Sequence, residues 1–219
     1  MKNTKFIIIY DKYCGWCYGA APNFDVLVNT GAKVEILHLH LFQGTNAPRV
    51  KEGKGDYIVK TDARISQLTE QTFSEAYTDN VVRSKTEILD STYSALGAAV
   101  VHGMGAKKEF SLRQRLEKQR FIDGTSDQNR NAVIQALIDE GVEPEAAEQF
   151  DSQKNIEKAH ALSKKAIALM AQVGLHGVPT ILKIEGGNIE AMDHSKFYGK
   201  LELIPSLIAE NNGTVSFTS

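Results

Sequence analysis

The spacing of apolar residues changes period several times along the chain. Residues 5–10 contain one β-branched and aromatic run, Phe6-Ile7-Ile8-Ile9-Tyr10, which predicts a buried strand. From Cys14 to about Val28 the spacing turns helical, with Phe24, Leu27 and Val28 on one face and Gly31 as the stop. Pro22 falls inside this helix and predicts a kink. Residues 33–42 alternate apolar and polar and predict a second strand, and 44–60, rich in glycine, lysine and polar residues, predict a loop. Helical spacing then holds over 62–76, 86–102, 107–121, 127–139, 144–151 and 155–173. Gly103, Gly105, the run Asp123-Gly124-Thr125-Ser126, Gly141 and Pro144 separate these segments, and Gly174 ends the last. After Gly177-Val178-Pro179 a third strand runs to Ile184. A turn at 185–188 leads to a return strand over 189–192, and a terminal helix is expected over 201–210. The order is β-α-β, a helical block, then α-β-β-α: two halves of one small sheet with helices inserted between them.

Composition narrows the class. Apolar residues make up 42% and charged residues 24% of the 219 positions, as in an ordinary globular protein. A net charge of −2 gives no basic excess for nucleic acid or an anionic membrane surface, so neither partner is expected. The apolar run near the N-terminus has five residues before Asp11 and Lys12, too few for a signal-peptide core or a membrane span. With Met1 as the start, the expected location is the cytoplasm, where a cysteine pair serves redox or metal chemistry more often than structure.

Both cysteines lie in the tetrapeptide Cys14-Gly15-Trp16-Cys17. A strand ending just before a Cys-x-x-Cys, with helical spacing after it, puts the first sulfur at a helix N-terminus. Unpaired N–H groups and the helix dipole favour a thiolate there, and the second sulfur follows one turn on. Haem attachment requires histidine after the second cysteine, where Tyr18 stands. Structural zinc requires four ligands. Of the histidines at 38, 40, 102, 160, 176 and 194 only His38 and His40 are close in sequence, so no metal is expected. Cys14 is the expected nucleophile and Cys17 the resolving thiol. Trp16, between them, either covers the sulfurs and meets substrate or packs into the core. Val178-Pro179-Thr180 before a strand is the second signal, since an X-Pro bond adopts cis at low cost. The Val178 backbone is a candidate to pair with an extended substrate beside Pro179. His40 and His176 are read as structural.

Together these residues resemble the thioredoxin superfamily, specifically its DsbA-like branch. Cys14, Cys17, Pro22 and Pro179 match the branch's two cysteines, kink proline and cis-proline. The stretch Asp11-Lys12-Tyr13-Cys14-Gly15-Trp16-Cys17-Tyr18-Gly19 is similar to the Asp-x-x-Cys-x-Trp-Cys-Tyr-Gly motif of bacterial proteins grouped as disulfide isomerases. Leu89-Asp90-Ser91 and Arg120-Phe121-Ile122-Asp123-Gly124 also look familial, without a physical role assigned from sequence. The resemblance implies an α/β thioredoxin fold with an all-helical insertion between the second strand and the following helix. Residues 1–60 and 155–219 would form the thioredoxin-like domain and 61–154 the insertion. It implies a thiol–disulfide oxidoreductase or isomerase with no cofactor beyond its own disulfide. Its partners would be protein or small-molecule thiols and disulfides, with glutathione or a reductase to recycle it.

Two departures temper the site. Thioredoxin-like proteins often bury an acid six residues before the first cysteine, where this chain has Ile8; Asp11 is nearer but expected to be exposed at the strand end. DsbA has Pro-His between its cysteines, and Gly15-Trp16 supplies no such charge, so a less oxidising disulfide is expected. Two other functions fit the same features. A glutathione-dependent kappa-type transferase or isomerase shares the inserted architecture, but such proteins generally present serine where Cys14 stands and have no resolving cysteine. A redox-switched binding module would use the same disulfide without turnover.

Overall fold

The computed structural model describes residues 4–43, 47, 54–126 and 129–209. Its centre is a four-stranded sheet in the order β2-β1-β3-β4, built from β1 Lys5–Tyr10, β2 Lys33–His38, β3 Thr180–Glu185 and β4 Asn188–Met192. β1 pairs parallel with β2 and antiparallel with β3, which pairs antiparallel with β4. Gly186 and Gly187 carry positive φ of 58° and 89°, as a two-residue type I′ hairpin turn requires.

β1 shows why a continuous apolar run makes a central strand. Phe6, Ile8 and Tyr10 pack on one side against Phe24 and Leu27 of α2 (Ala21–Asn29). Ile7 and Ile9 point the other way, onto Ala166 and Met170 of α9 (Gln153–Gln172). Alternate side chains thus serve two different cores, and every one of them is apolar.

Between β2 and β3 lies the helical region: α3 Lys54–Thr69, α4 Glu75–Tyr77 with a π turn at Thr78–Val82, α5 Thr92–Val101, α6 Ala106–Phe121, α7 Arg130–Asp139, α8 Pro144–Glu148, then α9. Leu96, Leu112, Leu116, Val133, Leu137 and Phe150 form its core. α9 belongs to both cores: Ala159 packs with the helical cluster and Ala166 with the sheet.

The observed elements differ from the expected ones at three places near the active-site end of the sheet. β2 stops at His38, four residues early, because His40 takes φ +56° and the Asp11 carboxylate captures the Leu41 N–H at 2.7 Å. Residues 54–60, expected as loop, form the start of α3; the rest of that loop, apart from Ala47, lies outside the described residues. The helix expected over 86–102 begins only at Thr92, since Ser91 is held by Asp11 and by the Phe42 carbonyl. The C-terminal helix is a 3₁₀ turn, Leu201–Leu203, followed by α10 Ile204–Ala209, with Pro205 in its first turn.

Candidate active site

Cys14 is the N-cap of α1 (Gly15–Gly19), with extended backbone at φ −79° and ψ 109°. Its Sγ accepts the Cys17 N–H at 3.3 Å, one of the first-turn donors that a helix leaves without a carbonyl partner. Cys14 is half-buried, and its Sγ–H donates to the Val178 carbonyl at 3.5 Å. The Val178–Pro179 peptide is cis. Cys17 is fully buried, in the same cluster as Ile8, Phe24 and Ile181. Burial, reinforced by contact with Cys14, pushes its thiol well up; the Asp11 backbone N–H and the Arg113 guanidinium pull the other way. Both sulfurs are unlinked thiols, one reachable and one enclosed.

α1 and α2 form one bent helix. Pro22 lacks the N–H that would bond the Tyr18 carbonyl, and Gln71 Nε2 donates to that oxygen instead at 2.9 Å. The Cys17 carbonyl accepts Arg113 Nη2 at 2.7 Å. Arg113 lies on α6, entirely buried, paired with Glu117 at 2.7 Å and placed over the rings of Tyr10, Phe24 and Phe110. Burial raises the Glu117 carboxyl to about 7, opposed by the Arg113 charge. Half-buried Gln71 and buried Arg113, both from the helical region, therefore complete the backbone of the CxxC helix near its kink.

Asp11, expected exposed, is buried. Its carboxylate has three donors from three segments: the Tyr13 N–H at 2.8 Å, the Leu41 N–H, and Ser91 Oγ at 2.8 Å. An acid at the end of a strand stays inside when every donor direction is filled. Ser91 thereby acquires a role, and so does Arg120, whose guanidinium lies 3.9 Å from the centre of the Tyr13 ring.

On the far side of α1 the helical region comes very close. A Cβ on Gly19 would stand 2.5 Å from Ile65 Cγ2, and one on Gly15 would stand 2.9 Å from Asp62 Oδ1. Asp62 and Ile65 belong to α3, so the two glycines set the distance between the helices. Asp62 is only 6% exposed, and burial lifts its acid to about 7 against the pull of Tyr77 and Arg120. It lines a cleft of about 160 Å³ with Tyr13, Trp16, Tyr57, Leu89 and Arg120 among its walls.

Trp16 is half-buried, its ring stacked on Tyr198 at 6.5 Å and 11°. The Tyr198 hydroxyl lies 3.0 Å from His194 Nδ1, and the His194 ring donates to the Pro179 carbonyl. Residue 16 is thus linked to the Val178–Pro179 loop through two side chains. His40 bonds Thr92 and stacks on His160, while His176 lines a separate groove with Leu41, Ile167 and Leu175. Among the described residues no group of His, Cys, Asp or Glu is placed to hold a metal ion, and no helix is long and apolar enough to cross a membrane.

Residues 6–197 match the DSBA-like thioredoxin domain. The chain belongs to this family. It has the family's mixed α/β fold, with helices inserted between β2 and β3, and its Cys14–Cys17 pair at a helix start marks it as a DSBA-like thiol–disulfide oxidoreductase. Solved structures share the fold. Cytosolic disulfide reductase DsbM from Pseudomonas aeruginosa superposes with a TM-score of 0.84 at 22% identity, over 95% of this chain and 98% of that one. The same protein with GSH gives 0.83 at 22% identity over the same shares. A Nitrosomonas europaea protein whose name proposes a disulfide isomerase gives 0.77 at 18% identity, over 96% and 100%. A comparison with curated proteins gives no match.

Sequence reasoning missed Asp62, Arg113, Arg120 and Tyr198. The familial stretch beginning at Arg120 is the one linear signal for any of them; Asp62 and Arg113 lie on helices whose spacing reports only burial, and Tyr198 follows the short 3₁₀ helix His194–Phe197.

Proposed function

We propose that this protein is a cytoplasmic disulfide reductase or isomerase in which Cys14 attacks and Cys17 resolves. The observation that carries this reading is the unequal setting of the two sulfurs. Cys14 is reachable, capped by an N–H and next to the Val178 carbonyl, while Cys17 is enclosed and held protonated by burial. The Cys14 thiolate attacks one sulfur of a substrate disulfide, forming a mixed disulfide and expelling the other sulfur as a thiolate. Cys17 then gives up its proton and attacks Cys14 Sγ. The second substrate thiolate leaves, and the Cys14–Cys17 disulfide holds the oxidising equivalents. Two molecules of a thiol such as glutathione return it to the dithiol and leave as their own disulfide. Val178 and Pro179 offer backbone beside the sulfurs to an extended substrate, and Trp16 covers one side.

Glutathione as the recycling thiol, and a reducing direction in the cytoplasm, are supported by the fold shared with DsbM, whose name places it in the cytosol and which has been crystallised with GSH. The absence of any charged residue between the cysteines supports a mild rather than strongly oxidising pair.

The test is turnover of a protein disulfide under glutathione. Cys14→Ser should abolish it, and Cys17→Ala should trap the mixed disulfide; wild-type turnover in Cys14→Ser would refute the reading. Turnover that survives in Cys17→Ala would favour a glutathione-transferring role of the kappa type. Oxidised and reduced forms that differ in partner binding without turnover would favour a switch.

A further inference from the structure

The cleft beside Gly15 and Trp16 has the size and walls of a receptor for one ring. Its volume of about 160 Å³ is close to the roughly 150 Å³ of an apolar cavity that takes up benzene. Tyr13, Phe42, Ile58, Val81 and Leu89 supply apolar or aromatic wall. One wall group is of another kind. Asp62 is more than nine-tenths buried, and its Oδ2 has no hydrogen-bond partner among the described residues. A buried acceptor left open is costly, and one kept beside a reactive centre is most simply explained by a donor that arrives with the ligand. Gly15 permits the arrangement: any side chain there would meet Asp62 Oδ1. The residue between the cysteines therefore leaves room for a carboxyl brought from α3.

We infer that this cleft is a side-chain pocket for a tyrosine near the cysteine of a peptide substrate, with the phenol ring between the apolar walls and its hydroxyl donating to Asp62. The inference rests on the thiol–disulfide reading of Cys14 and names the substrate that this site prefers. The phenol suits the cleft better than the alternatives in both respects. Tyr77 already serves the Asp62 carboxyl, but an aliphatic chain leaves its Oδ2 without a donor, and a lysine ammonium would be enclosed with the Arg120 guanidinium, which also lines the cleft.

The experiment uses peptides whose single cysteine is blocked as a mixed disulfide with 2-mercaptoethanol. Tyr, Phe, Leu or Ala is placed at each of the two positions on either side of that cysteine, and release of the peptide thiol is followed under glutathione turnover. At pH 8, above the value of about 7 to which burial lifts the Asp62 acid, Tyr peptides at one or more positions should be reduced about tenfold faster than Phe peptides, as a hydrogen bond to a carboxylate allows, and Phe peptides faster than Ala peptides. Asp62→Leu should bring the Tyr-to-Phe ratio to about one. Equal rates for Tyr and Phe at every position in the wild type overturn the inference without any variant. So does a Tyr preference that persists in Asp62→Leu. If no peptide in the series is reduced faster than by glutathione alone, the oxidoreductase reading itself fails. If all are reduced alike, only the pocket assignment fails.

Discussion

The two flanks of the CxxC helix are built on opposite principles. The flank facing the sheet is apolar: Ile8 stands where an acid is common in this superfamily, and it packs in one cluster with Cys17, Phe24 and Ile181. The flank facing the helical region is charged and buried, with Arg113 and Glu117 beneath the kink and Asp62 over Gly15. The sheet side encloses the resolving sulfur without offering a group to take its proton. The helical side brings the Arg113 guanidinium, which pulls the Cys17 thiol back down against its burial. The difference teaches that an inserted region can do chemical work for a motif it does not contain.

The strongest way to break this contrast is to remove the cation. Arg113→Met takes the donor from the Cys17 carbonyl and leaves Glu117 enclosed without its partner. Breaking a buried pair from one side costs about 3–5 kcal/mol. Unfolding by urea should show a loss of that order, larger at pH 8 than at pH 5, because Glu117 titrates near 7. A loss below about 1 kcal/mol, the value of an exposed pair, would mean that the charged flank is not integral to the fold.

Next comes the pH dependence of stability. The Asp62 acid is raised from an ordinary 3.8 to about 7 in the folded protein, mainly by burial. The folded state then keeps a proton that the unfolded chain releases. This stability is fully present below pH 3.8 and declines as pH rises, levelling off above about 7. The amide of the Asp62→Asn variant has no such titration. Between pH 4 and pH 8 the wild type should therefore lose about 2–4 kcal/mol relative to Asp62→Asn. Glu117 titrates in the same window in both proteins, so the difference isolates Asp62. Parallel stability curves would show that the α3 carboxyl is not held in a buried setting.

How much of this was legible in the sequence follows the same division. The sheet flank is local in its signals: a β-branched run, a Cys-x-x-Cys and a Val-Pro step each report their own element. Cys14 and the Val178 carbonyl do meet, although 164 positions separate them. The charged flank depends on where helices cross. Arg113 and Glu117 stand four apart within one helical span, a spacing that exposed pairs share, and Asp62 is one polar position among many in another, so nothing local singles them out. Asp11 was misjudged for the same reason. Its burial is decided by Leu41 and Ser91, which a reading of neighbours along the chain cannot place.

A smaller test addresses the spacing between the flanks. Gly19→Ala puts a methyl 2.5 Å from Ile65 Cγ2, so α3 must move away from α1. Overpacking of this kind costs about 1–3 kcal/mol. Ile65→Ala is itself costly, because Ile65 is buried, yet in combination with Gly19→Ala the losses should fall short of additive by about 1 kcal/mol. Additive losses would mean that the glycine is needed for its backbone rather than for the approach of α3.

The smallest effect is expected at Gln71, and it is the most specific probe of the kink. Its side-chain amide donates to the Tyr18 carbonyl, the acceptor that Pro22 cannot serve. Gln71→Ala should cost about 0.5–1.5 kcal/mol, the net value of one hydrogen bond in a partly buried place. Pro22→Ala restores an N–H at the position from which a regular helix would bond that carbonyl. In the Pro22→Ala background the helix can complete itself, and Gln71→Ala should then cost nearly nothing. The cycle is read from unfolding curves of four proteins, and its coupling should approach the whole cost of Gln71→Ala in the parent. A coupling near zero would mean that the Tyr18 carbonyl gains nothing from the restored N–H. The kink would then be imposed by packing against α3 and α6 rather than by the missing hydrogen of Pro22.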